Sequence, residues 1–284
     1  HSITVTADNV NAITLEENNT FTLTDCNGSN STRYFRKGSK SYGGQWESCE
    51  KEDSAFTVEG GVITHEPGKE GYGVWAFSKA TGCTFNMYGG TICGNYEWGG
   101  GGSGVNILYH GKCNLYGGAI RGNGTRNTVS GGVHVADTCS FNMYGGSISD
   151  NTAYDGSGGG VYNGGSFNMY GGNISNNTCT NDGGGVYNAG TFTMTGGSIT
   201  GNTRTGSDDN TSTGNGGGVY LGTYSSLSLS GTPVISDNWD AGGKVSNVYY
   251  KNSKGKPITI TDVLEEGAKI GVTLETVPVA SPVY

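Results

Sequence analysis

The chain has 284 residues, 54 of them glycine, with 14% charged residues and a net charge of −8. This balance argues against a nucleic-acid partner, and no apolar run reaches the roughly 18 residues of a membrane-spanning helix. The seven cysteines form no CxxC pair or Cys/His cluster of the kind that binds zinc or carries redox chemistry.

The chain opens at His1 without a recognisable signal peptide, which reads as a mature or trimmed start. Residues 3–5, 13–15 and 21–24 read as the strands that open the fold. Residues 27–55 then break the rhythm, placing Arg33, Arg36, Lys37, Lys40 and Lys51 beside Tyr34, Phe35, Tyr42 and Trp46. That insertion reads as a cap over the first coil, with a binding excursion as the alternative. Cys26 and Cys49 bracket it and are candidates to staple it.

From residue 56 onward the chain repeats itself. Phe-Asn-Met-Tyr-Gly-Gly stands at residues 85–90, 141–146 and 167–172, with looser copies at 113–118 and 192–197. The first glycine of each pair falls at 89, 117, 145, 171 and 196, so the period is 28, 28, 26 and 25 residues. A Gly-Val phrase keeps the same beat at Val105, Val133, Val161, Val186 and Val219. An Ile-x-x-Asn phrase runs from Ile92/Asn95 to Ile235/Asn238.

Three short phrases per period mean three strands per coil, and a fixed period in this range marks a solenoid whose units bury their faces only against neighbours. Glycine-rich units without apolar i, i+3, i+4 spacing exclude a helical repeat. The unit is also too short for a propeller blade. The expected fold is all-β, a right-handed parallel β-helix of three short strands per coil of about 25–28 residues. It forms one domain, with opening strands and cap in 1–55, regular coils in 56–245 and closing strands in 246–284.

Strand alternation points Phe85, Phe141, Phe167 and Phe192 inward together with all four methionines, Met87, Met143, Met169 and Met194. Asn95, Asn123, Asn151, Asn177, Asn202 and Asn238 read as a structural corner ladder, each amide serving the turn backbone and the next coil. The glycine pairs read as turns needing positive φ or close backbone approach. No Gly-Lys-Ser/Thr follows them, so they are not phosphate loops. Cys83 and Cys139 share one repeat position two coils apart, about 10 Å, beyond disulfide reach. Cys113 takes the place of a core Phe.

Function must come from what faces outward. One ladder holds Trp75, Asn106, His134, Tyr162, Tyr187 and Tyr220, and a second holds Tyr88, Tyr116, Tyr144 and Tyr170. Either could present aromatic faces to sugar rings or a protein surface, or simply stabilise stacked coils. The variable segments after each ladder Asn form a rim carrying Tyr96, Glu97, Trp98, Tyr154, Asp155 and Trp239. No cofactor or metal is expected. Calcium is the ion that Asp155, Asp182, Asp208 and Asp209 would suggest, but no DxDxDG loop or RTX nonapeptide accompanies them. For an enzyme, Asp182, Asp208 and Asp209 are the candidate catalytic residues, yet no Gly-His-Gly or Arg-Ile-Lys of the pectinase type is present.

The run GGGVYNxGSFNMYGGxISxNT, in residues 158–178 with a looser copy in 183–203, resembles the Gly-rich β-helix repeats of large surface proteins from gut Clostridia. It is distantly similar to the GGAI-type repeats of polymorphic outer membrane proteins. The ITIT and GAKIGVT phrases within residues 248–272 look like the segment that closes such blocks. The resemblance implies an extracellular, secreted or surface-attached, adhesin-like module that is part of a longer exported protein. It also implies a host glycan or glycoprotein as partner, mucin or immunoglobulin among them, and a monomeric fragment. A glycan-cleaving enzyme and a passive stalk are the alternatives.

Overall fold

The structure is a computed structural model that describes residues 2–5, 13–14, 22–23, 54–58, 62–65, 70–77, 83–98, 101–126, 129–206, 215–250 and 258–274. Residues 27–53 of the insertion, Cys26, Cys49, Asp208 and Asp209 lie outside these residues, while its last two residues, Ser54 and Ala55, already belong to a strand of the Phe sheet. Every described element is a strand, a turn or irregular, and no helix among the described residues is long and apolar enough to cross a membrane.

The strands stack into three parallel nine-stranded sheets, one for each phrase of the repeat, which is the architecture of a parallel β-solenoid. The Phe sheet runs through Cys83–Met87, Lys112–Leu115, Ser140–Met143, Ser166–Met169 and Thr191–Met194. The Ile sheet and the Val sheet repeat in the same order in each coil. The register matches repeat to repeat: Phe141 pairs with Phe167, Ile148 with Ile174 and Val161 with Val186.

A fourth, five-stranded sheet adds to the three-strand expectation. It is made of Tyr96–Glu97, Gly124–Arg126, Thr152–Tyr154, Thr178–Cys179 and Thr203–Arg204. The first part of five of the six rim segments is therefore strand, not loop, and the sixth, after Asn238, forms only an isolated bridge at Trp239.

The core consists of columns running along the solenoid axis. Seven isoleucines from Ile63 to Ile235 and seven valines from Val74 to Val248 are fully buried, as are the four methionines. Phe141, Phe167 and Phe192 stack with ring centroids 5.0 and 4.6 Å apart, and Cys113 fills the Phe column one coil earlier. Burial pushes the Cys113 thiol far above its ordinary range, so it acts as a small apolar side chain. Cys83 and Cys139 occupy the same column with Gly111 between them, and the five described cysteines are free.

The glycine pairs divide their labour. A Cβ on the first, at Gly117, Gly145 or Gly171, would lie 2.5–2.6 Å from the carbonyl oxygen of the Tyr one coil earlier. The second, from Gly90 to Gly197, sits at φ between +75° and +85°, where L residues are strained.

The Asn corner is fully engaged. Asn177 donates through Nδ2 to Ile148 O and to Asn202 Oδ1, both at 2.9 Å. Its own Oδ1 accepts from Asn151 N and Nδ2 at 3.0 and 2.9 Å. The pattern repeats from Asn95 to Asn238, with exposures of 0–2%, and Asn247 accepts the last donors. At the other end His65 takes the place of an Asn and its Nδ1 lies 2.8 Å from Asn95 Oδ1. In the closing coil the core columns reach Ile260 and Val272, both about half exposed.

Candidate functional site

The ring geometry of the Phe-sheet ladder fits the stacking alternative. Tyr88, Tyr116, Tyr144 and Tyr170 stack at 4.5, 4.8 and 4.9 Å with interplanar angles of 5°, 6° and 11°. Each ring covers its neighbour's face, so the ladder offers solvent a row of edges and hydroxyls, not the flat aromatic faces a sugar stacks on. These rings are 38–52% exposed.

The ladder on the Val sheet behaves differently. Tyr162, Tyr187 and Tyr220 stack at 4.9 and 5.3 Å, and Tyr249 extends the row. Trp75, at the opposite end, is buried beside Tyr72, and Asn106 is buried. The stack is interrupted at His134, whose ring lies 5.5 Å from Tyr162 and is tilted by 57°. One face of Tyr162 is covered by Tyr187, while the other meets His134 only obliquely.

Tyr162 and the tilted His134 ring line a cleft of about 560 Å³, within the size range of small-ligand sites. Its origin is a change in chain length. Eight residues separate Val105 from Cys113, Val133 from Phe141 and Val219 from Leu227, but only six separate Val161 from Phe167 and Val186 from Phe192. The long coils make closed turns: Gly111 N donates to Leu108 O, Cys139 N to Ala136 O and Ser225 N to Gly222 O. The short coils pass directly through Gly164–Gly165 and Ala189–Gly190. Two adjacent short coils between longer ones leave a notch of about 10 Å along the axis.

Buried asparagines brace the short turns. Asn163 and Asn188 stand where Ile107 and Val135 stand in the long coils. Asn163 Nδ2 donates to Asn188 Oδ1 at 2.7 Å and to Thr191 O at 2.9 Å, and Asn188 Nδ2 donates to Ser226 O at 3.0 Å. Asn163 Oδ1 has no partner, because Val135 behind it has no donor to offer.

The walls of the notch carry polar chemistry. His134 Nδ1 donates to Asn106 Oδ1 at 2.8 Å, which leaves Nε2 as the ring's acceptor. Burial lowers the His134 pKa to about 4, against a smaller opposing effect of Asp137, so the ring is neutral at pH 7. Burial, and then Asp137, raises the Tyr162 phenol. Asp137 overhangs the short turn, since a Cβ on Gly164 would lie 3.0 Å from its Oδ1. Tyr109 and His110 form the rim at φ 46° and 62°. Two consecutive residues at positive φ make a type I′ pattern that normally takes Asn-Gly, and holding an aromatic and an imidazole there is strained. Val129 also lines the cleft.

The fourth sheet brings a second set together. Arg126 lies 5.0 Å over the Trp98 ring and 3.9 Å from Asp155, with both ion-pair partners about half exposed. Its register neighbour is Tyr154, while Glu97 pairs with Thr125 and Tyr96 with Gly124. The exposed ion pair stabilises little. Trp239 bridges Thr203 at the far end of the same row, so it shares the rim with Trp98 but is several coils away. Asp182 anchors a loop return: its Oδ1 accepts Asn215 N at 2.7 Å. No group of three or more His, Cys, Asp or Glu poised for a metal occurs among the described residues.

No family model, curated protein or solved structure matches this chain. The assignment of a site therefore rests on geometry. Of the outward residues singled out in the sequence, the structure gathers His134 and Tyr162 in the cleft and Tyr96, Glu97, Trp98, Tyr154 and Asp155 around Arg126. Tyr187 and Tyr220 form the stacked continuation of the first group. Trp75 is buried. Tyr109, His110, Val129 and Asp137 escaped sequence reasoning. The signal for them was the 8, 8, 6, 6, 8 spacing, which reads at first as mere jitter in the repeat.

Proposed function

We propose that the chain is an adhesin-like binding module, secreted or displayed on a cell surface, that takes a host glycan or host glycoprotein such as mucin or immunoglobulin. The observation that carries this reading is the cleft at His134 and Tyr162. There the repeat shortens, an aromatic stack gives way to a tilted imidazole and two large side chains are held on a strained turn. A stalk has no need of these departures from its repeat, and strained, non-repeating turns on a rigid scaffold are where binding groups accumulate. The resemblance of residues 158–203 to Gly-rich surface repeats supports the same reading. Among the described residues that line the cleft Asp137 is the one carboxylate, whereas glycoside hydrolysis ordinarily takes a pair, which favours binding over cleavage.

The test is a binding screen of the purified chain against immobilised mucins, dietary glycans and immunoglobulins, with a Tyr162→Ala/Tyr187→Ala double variant and Trp98→Ala alongside. Saturable binding that the double variant loses and Trp98→Ala keeps is the expected result. Binding lost only in Trp98→Ala moves the site to the fourth sheet. Silence across the panel returns the protein to the stalk reading.

A further inference from the structure

We infer that the cleft receives a basic side chain, lysine or arginine, from the surface of a partner protein, with the aliphatic stem against the apolar lining and the charged head at Asp137. This inference rests on the binding-module reading and narrows its partner to a protein surface.

Charge, lining and surroundings lead there. Asp137 is the one carboxylate among the described residues that line the cleft, and none of them is Lys or Arg. Its carboxylate stands over the short turn, 3.0 Å from where a Cβ on Gly164 would lie, and among the described residues no ion pair or hydrogen bond holds it. Burial, and then Asp137, raises the Tyr162 phenol, and Asp137 opposes the burial that lowers His134, so its field reaches both rings. An unneutralised carboxylate beside low-dielectric walls attracts a cation and repels an anionic group such as a uronic acid. Leu108, Val129, Ala136 and Ala189 supply apolar lining for the methylene stem of Lys or Arg, which such side chains bury while the head stays polar. His134 Nδ1 donates to Asn106, so Nε2 is left to accept an N–H from the head. A sugar has less to hold it. His134 at 5.5 Å and Tyr187 at 4.9 Å cover the two faces of Tyr162, so that ring gives no platform for a pyranose. The mouth of the cleft fits a protein surface: Tyr109, 57% exposed, stands on its rim, and Tyr is a residue type enriched in protein contacts. With a net charge of −8 the whole chain draws basic surfaces toward it.

The experiment titrates the chain at about pH 8, where imidazoles ordinarily carry no proton, with the Nα-acetyl methylamides of lysine, arginine, norleucine and glutamate, followed by saturation-transfer NMR and calorimetry. The lysine or the arginine probe is expected to bind about fivefold more tightly than norleucine, which keeps an aliphatic stem without the charge, and glutamate is expected to bind weakest. Asp137→Asn should erase that preference, and raising NaCl from about 50 to about 500 mM should shrink it. Gly164→Ala crowds the carboxylate from the turn side and should weaken the basic probe as well, which keeps the test decisive if Asp137→Asn disturbs its own turn. Equal binding of the basic and norleucine probes would overturn the inference. So would a preference that both variants leave unmoved, or no binding of either basic probe. Any mucin or immunoglobulin that bound in the screen is then stripped of its glycans. Binding that survives stripping, and that the basic probe competes away, supports the inference. Binding that vanishes with the glycans while the basic probes fail keeps the module and removes the basic side chain. If a basic probe binds through Asp137 while the whole glycoprotein panel is silent, the side-chain assignment stands and the proposed partners fall.

Discussion

The Asn corner and the turn after the Val strands belong to the same coils and obey opposite rules. At the corner, Asn95 to Asn238 repeat without exception, buried and hydrogen-bonded in one pattern. At the turn, Tyr109 and His110, Asp137 and Thr138, Gly164, Ala189 and then Gly222 follow one another with different lengths and chemistries. In a solenoid each unit is held by its neighbours, so identical positions reinforce one another and any departure loses that reinforcement. Constancy marks scaffold here, and the departures mark where the surface does something other than stack.

Substitutions should separate the two regions by size of effect. Asn177→Ala strips two amide donations and orphans the donors of Asn151, so it should destabilise the chain by about 3–4 kcal/mol in denaturant unfolding. A small effect there would mean that the corner is not what holds the coils in register.

Acid should reveal His134. Its folded pKa is about 4 and its unfolded value near 6.5, so the unfolded state binds the proton first. Stability contributed by the neutral ring is intact above about pH 6.5 and is lost as pH falls toward 4, by about 3 kcal/mol in total. Thermal melts of the native chain and of His134→Gln across that window should diverge. Parallel curves would show that the ring is not held neutral.

Tyr144→Ala removes a half-exposed ring between two others and should cost about 1 kcal/mol or less, without altering ligand binding. A loss of binding in that variant would restore the Phe-sheet ladder as a contact surface. Gly164→Ala should cost about 1 kcal/mol in stability, because the added Cβ meets a carboxylate that can swing away but also the fixed Val135 carbonyl oxygen at 3.2 Å. Its main effect should appear in binding.

Most of the fold was legible because strand alternation and a fixed period leave few options. The four methionines at one position, the Phe column with Cys113 and the Asn corner all stand where the repeat puts them. The fourth sheet was not legible, since two-residue strands such as Thr178–Cys179 are shorter than any alternation that could announce them. Ring orientation was equally hidden. That Tyr88 to Tyr170 point outward follows from their place in the strand, but that each lies flat on the next follows from side-chain packing. The cleft was written in the sequence as two missing residues per coil and the paired Asn163 and Asn188, yet a shortened turn becomes a cavity only when its neighbours are known to stay long.

The most direct test levels the notch. Inserting Asp-Thr between Gly164 and Gly165 and again between Ala189 and Gly190 gives both short coils the turn length of Ala136–Cys139, in turns that face solvent. Binding to the mucin or immunoglobulin found in the screen is then measured beside the native chain, with circular dichroism to confirm the solenoid. The account predicts an intact fold and lost binding. Undiminished binding by the folded, levelled protein would contradict it.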